Sequence, residues 1–88
     1  MNTPISFELD KLLLEKDIPM PVNPTISDVV MWLYEKHGIW VYVDFYNENR
    51  WFGVFRNKEG VKTELFDVFN SPTEAYEAAI EYTLKNLI

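Results

Sequence analysis

Residues 39–46, Ile-Trp-Val-Tyr-Val-Asp-Phe-Tyr, constrain the fold more than any other stretch of the chain. β-Branched and aromatic side chains at this density suit a pleated surface and lose rotamer freedom in a helix, so the segment reads as a strand. Alternation puts Ile39, Val41, Val43 and Phe45 on one face and Trp40, Tyr42, Asp44 and Tyr46 on the other. A strand needs a partner. Asn47-Glu48-Asn49 is a turn signal, and residues 50–57 supply the second strand of a hairpin. With Tyr46 opposite Trp51, Phe45 faces Phe52 and Val43 faces Val54 on the core side, while Trp51 and Phe55 join Trp40, Tyr42 and Tyr46 outside. A slip of one residue would turn the second strand over.

Asn57-Lys58-Glu59-Gly60 fits a type I turn closed by a glycine at positive φ, leading into a third strand over residues 61–69. Leu65 and Phe66 are adjacent there, so only one of them can face the core. Ser71-Pro72-Thr73-Glu74 then has every mark of a helix start: a hydroxyl cap, proline at the first helical position and glutamate at the third. That helix runs to about Leu87, with Ala75, Tyr76, Ala79, Ile80, Thr83 and Leu87 inward and Glu74, Glu77 and Glu81 outward. Upstream, Ser6 caps a helix from Phe7 to about Lys16, in which Leu9, Leu12 and Leu13 form one stripe while Phe7 and Leu14 fall elsewhere. Pro19, Pro21 and Pro24 make a stiff connector. Thr25, paired with Asp28 in a capping-box arrangement, opens a second helix that stops at Gly38 and buries Ile26, Val29, Val30, Leu33 and His37.

The order α-α-β-β-β-α predicts an α+β two-layer sandwich, a three-stranded antiparallel meander with helices on one face. At 88 residues this is one domain, comprising an N-terminal helix and proline-rich connector over 1–24 and an α-β-β-β-α core over 25–88. With no cysteine, neither disulfides nor thiolate metal sites are available, and packing alone must hold the core. No apolar run is long enough to cross a bilayer and no leader precedes the first helix, so a cytoplasmic protein without membrane association is expected. The net charge of −6 opposes phosphate binding, which makes nucleic acid an unfavourable partner.

Catalytic signals are weak. His37, the one histidine, sits near a helix C-terminus, where imidazole can bond the last carbonyls and complement the dipole, a simpler role than general base. The spacing of His, Asp and Glu provides no metal-ligand pattern, and no cofactor or small-molecule substrate is indicated. Asp44 and Asp67 are the aspartates set in strand patterns, but a small open sheet offers them no water-excluding pocket. The chain is therefore expected not to be an enzyme.

The aromatic residues carry the functional expectation. Trp40, Tyr42, Tyr46, Trp51 and Phe55 share the proposed outer face, which an antiparallel sheet ordinarily gives to polar residues. Either the N-terminal helix or the connector folds across them, or cross-strand pairs merely stabilise the hairpin, or they anchor a protein partner or a second copy. Met31 and Trp32 form a further candidate patch on the second helix, which the first helix is expected to cover.

Three segments carry a resemblance: Ser6-Phe7-Glu8-Leu9-Asp10-Lys11-Leu12-Leu13-Leu14-Glu15-Lys16, Ser27-Asp28-Val29-Val30-Met31-Trp32-Leu33-Tyr34-Glu35-Lys36-His37-Gly38-Ile39 and Ser71-Pro72-Thr73-Glu74-Ala75-Tyr76-Glu77-Ala78-Ala79-Ile80. Together they resemble small uncharacterised proteins of bacteriophage genomes and of mobile elements in gut-type bacteria. The resemblance implies a phage or prophage accessory protein and brings no catalytic residue. From residue 25 onward the element order is also similar to the double-stranded RNA-binding domain, and Ser71-Pro72-Thr73-Glu74-Ala75 resembles the helix start of HicB-type antitoxins. Both would imply a nucleic-acid-associated regulator. The phosphate-binding lysines of the former are replaced here by Pro72 and Thr73, beside an acidic helix face, and the DNA-binding segment of the latter is lacking.

Overall fold

The computed structural model describes residues 3–88. Its elements run α1 (Phe7–Glu15), α2 (Ile26–His37), β1 (Trp40–Asn47), β2 (Arg50–Arg56), β3 (Lys62–Glu64) and α3 (Pro72–Asn86). The sheet is antiparallel in the order β1-β2-β3, with the helices on one face, as expected.

Local chemistry sets the helix ends. Ser6 accepts from the Leu9 amide, Thr25 and Asp28 form a reciprocal capping box, and Ser71 accepts from the Glu74 amide ahead of Pro72. Each cap is worth about 1 kcal/mol. Gly38 ends α2 at φ 67°, a left-handed conformation that side chains disfavour. The core gathers Leu9 and Leu13 of α1, Ile26, Val29, Val30 and Leu33 of α2, Val41 and Phe55 of the sheet, and Ala79, Ile80 and Leu84 of α3. Two of the helix residues expected to face inward do not. His37 and Leu87 are exposed, because each lies in the last turn of its helix beyond the end of the layer it packs on.

The N-terminal segment is anchored at two points. The Ile26 amide donates to the Thr3 carbonyl at 2.9 Å and the Ile5 amide to the Pro24 carbonyl at 3.2 Å, which ties the starts of α1 and α2 together. The Ser6 amide donates to Glu77 Oε2 at 2.6 Å, bringing α1 against α3. Glu77 is therefore half-buried rather than part of a fully solvated acidic face, and its carboxylate complements the α1 dipole. Seated there, α1 covers neither Met31 nor Trp32, contrary to expectation.

The β1–β2 register also differs from expectation. At the turn, Asn47 pairs with Arg50, as the predicted register requires, and Glu48-Asn49 makes the bend with Asn49 at φ 56°. Tyr46 is then bulged out, and beyond it the register shifts by one, so that Phe45 faces Trp51, Val43 faces Gly53 and Val41 faces Phe55. The bulge turns β2 over. Trp51, Gly53 and Phe55 look toward the helices, and Phe52, Val54 and Arg56 look away.

Close packing explains which register wins. A Cβ on Gly53 would lie 2.7 Å from Ala79 Cβ and 3.3 Å from the Ala75 carbonyl oxygen, so the helix can reach the sheet only where the sheet lacks a side chain. Phe55 is then buried and stacks on Tyr82, with ring centroids 5.6 Å apart. The third strand is shorter than predicted. Leu65 turns inward, donating its amide to the Gly53 carbonyl, while Phe66 is fully exposed, and the chain rejoins the sheet only at Phe69, opposite Trp51.

Candidate interaction surface

With β2 turned over, the outer sheet face is not the aromatic platform that alternation suggested. Trp51 and Phe55 leave it, and Phe52 joins Trp40, Tyr42 and Tyr46. Phe55 is enclosed by the helices, and Trp51 is half-buried against Phe45, ring centroids 5.1 Å apart. The middle of the face is closed by its own side chains. Val54, between Tyr42 and Glu64, is fully buried, and Tyr42 and Phe52 are half-buried. Neither α1 nor the connector crosses it. The exposed aromatic area lies instead at the two ends of β1, with Tyr46 61% exposed at the hairpin and Trp40 39% exposed at the strand start.

Trp40 joins two regions that the sequence kept apart. Its ring meets Tyr34 of α2 edge-on at 5.4 Å, and it shares with Met31, Val30 and Tyr76 a depression of about 230 Å³ beside Val41. Met31 and Tyr34 are each about half exposed. Trp32 is different. It is half-buried and packed against the core, with its ring 5.1 Å from His37 and its Nε1 enclosed without a hydrogen-bond partner. The connector residues Pro19, Met20 and Pro21 lie near it on one side of a second depression. Met31 thus belongs to a surface and Trp32 mostly to the interior.

Two surface residues were missed by sequence reasoning. Tyr34 sits one turn beyond Met31 on the same flank of α2, so helical spacing could have grouped them. Phe45 was assigned to the core by alternation, and it does lie on the helix-facing pleat. It is nevertheless 53% exposed, because α3 sits over Gly53 and Phe55 and does not extend over the hairpin end.

Asp44 and Asp67 are both exposed, and Asp44 Oδ1 accepts from the Phe45 amide at 2.8 Å. Among the described residues, no group of three or more His, Asp and Glu is placed to hold a metal ion, and no helix is long and apolar enough to cross a membrane. A larger groove of about 440 Å³ runs between α1 and α3, lined by Glu8, Lys11 and Glu15 of α1 and by Glu77, Glu81 and Lys85 of α3. It is open, and nothing in it pairs a nucleophile with a base. Comparison with protein families, curated proteins and solved structures gives no match, so the functional reading rests on these residues alone.

Proposed function

We propose that the chain is a non-catalytic protein-interaction or self-association module, an accessory protein of the phage or mobile-element kind, acting in the cytoplasm. It binds through the apolar surface along β1 and the adjoining flank of α2. The observation that carries this reading is exposed apolar area at both ends of β1, Trp40 with Met31 and Tyr34 of α2 at its start and Phe45 and Tyr46 at the hairpin. The fully exposed Phe66 lines a depression with Tyr46 and Phe52 at the hairpin end of the sheet, whereas Leu14 on α1 and Val22 on the connector lie on other segments. Tyrosine, tryptophan and methionine are the side chains that interfaces favour. The charge of −6 and the proximity of α1 to the Glu77 side of α3 weigh against a nucleic-acid-associated regulator.

Gel filtration of the tagged chain, purified and in host lysate, tests the reading. The wild type is expected above its single-chain mass of 10.4 kDa, with itself or with a bound polypeptide, and a Tyr34→Ser/Trp40→Ser variant is expected at 10.4 kDa. A wild type that runs at single-chain mass in both settings overturns it.

A further inference from the structure

We propose that this surface takes a short basic segment of another protein. An apolar side chain of that segment enters the depression beside Trp40, and a lysine or arginine two or three residues away enters an acidic depression on the other side of Met31. This rests on the interaction reading above and adds to it the chemistry of the partner.

Helical spacing in α2 lays the surface out. Ser27 and Met31, four residues apart, form one row along the helix. On the strand side of that row lies the depression of about 230 Å³ beside Trp40, Val41 and Tyr76, and no charged residue lines it. On the connector side lies another, of about 300 Å³, lined by Asp28, Trp32 and Glu35 of α2 and by Pro19 and Pro21 of the connector. Ser27 and Met31 line both, so the two depressions share a wall. Asp28, Trp32 and Glu35 stand at i, i+4 and i+7, which puts them on one flank of the helix with the indole between the carboxylates.

The two depressions differ in chemistry. The first suits an aromatic or branched aliphatic side chain. The second has two carboxylates and no lysine or arginine in its lining. Asp28 Oδ2 accepts from the Thr25 amide at 2.8 Å and from the Thr25 hydroxyl at 3.1 Å, so the capping box holds that carboxylate in place. Glu35 is exposed and belongs to neither ion pair found among the described residues, Lys62–Glu64 and Lys85–Glu81. A guanidinium or ammonium set beside the indole and both carboxylates gains from the ring and from the opposite charges. Charge also selects among occupants. A second copy brings a further −6, an acidic segment adds to the repulsion, and a neutral apolar one leaves both carboxylates without a counter-charge. Addition of a strand is closed off, since Val41 is 1% exposed beside α2, so side chains make the contact. A helix with its side chains is about 10 Å across and an extended chain advances about 3.3 Å per residue, which sets the apolar anchor and the cation two or three residues apart.

Titration of the purified full chain with acetyl-Phe-Ala-Arg-amide, followed by NMR, tests the assignment. Shifts are expected at the Trp40 and Trp32 indole N–H groups and at the Met31 methyl, with a dissociation constant of about 1 mM or below. Acetyl-Phe-Ala-Glu-amide is expected to bind about fivefold more weakly or worse. Glu35→Lys, at an exposed position, should abolish or reverse that preference, and Met31→Ser, at another, should weaken both peptides. Equal binding of the two peptides, a preference for arginine that survives Glu35→Lys, or no shift at these three groups up to about ten times that concentration overturns the proposal. Shifts of the same groups on concentrating the protein alone, with none from the peptide, would give the surface to a second copy instead. If the arginine preference is absent while the wild type runs above 10.4 kDa and Tyr34→Ser/Trp40→Ser runs at it, the basic partner falls and the interaction reading stands.

Discussion

The two edges of this small sheet are built in opposite ways. β3 is three residues long, carries charge at Lys62 and Glu64, and joins those two side chains in an ion pair of 3.1 Å. β1 is eight residues long, mostly aromatic and β-branched, with Asp44 as its one charged side chain. Shortness and charge are the ordinary means by which an edge is kept from pairing with other chains. One edge has both. The other has a single carboxylate, which accepts from the Phe45 amide, and Val41, 1% exposed, is already covered beside α2. The difference teaches that one edge is shielded by its own shortness and charge and the other by the helix beside it, which leaves β1 to offer side chains rather than backbone.

The contrast depends on β2 holding the observed register, because that register decides which side chains of the hairpin face the helices. Gly53→Ala tests it most severely. The added methyl would meet Ala79 Cβ at 2.7 Å and the Ala75 carbonyl at 3.3 Å, so β2 and α3 must separate. Overpacking of this kind costs about 1–3 kcal/mol, readable as a lowered midpoint in urea. Full stability in the variant would mean that Gly53 faces away from α3, and the assignment of faces would fall with it.

That assignment was only half legible in the sequence. Helix ends were readable because capping is local: Ser6, Thr25 with Asp28, Gly38, and Ser71 ahead of Pro72 each act within four residues. The meander was readable for the same reason, since Asn49 and Gly60 supply the positive-φ positions that its two turns require. The register was not. The turn places Asn47 opposite Arg50 as predicted, but the bulge at Tyr46 displaces everything beyond it, and an extra residue in a strand leaves no mark in periodicity. What decides it is distant in sequence: Gly53 must face Ala75 and Ala79 for α3 to seat. A lone strand glycine and a helix face of alanines were visible separately, and only their pairing identifies the inward face. The position of α1 was hidden likewise, because the Ser6–Glu77 hydrogen bond joins residues 71 positions apart.

Salt gives a smaller but directional effect. Two copies at −6 each repel, so added salt should tighten self-association through apolar contacts several-fold by screening, whereas binding to nucleic acid weakens as salt rises. Sedimentation at low and high ionic strength reads the sign. A self-association that dissolves in salt would mean that opposite charges hold the two copies and that the apolar surface is not their contact.

The smallest expected effect separates the two protections of β3. Lys62→Val together with Glu64→Val removes charge while leaving the strand three residues long. Both side chains are about half exposed, so losing their ion pair should change stability by less than about 0.5 kcal/mol. If length is the dominant protection, the variant stays at the wild-type oligomeric state, because three residues close too few intermolecular hydrogen bonds to repay the entropy of association. If charge is dominant, the variant associates through β3 and light scattering would rise with concentration. Because β3 is only three residues long, we expect the first outcome.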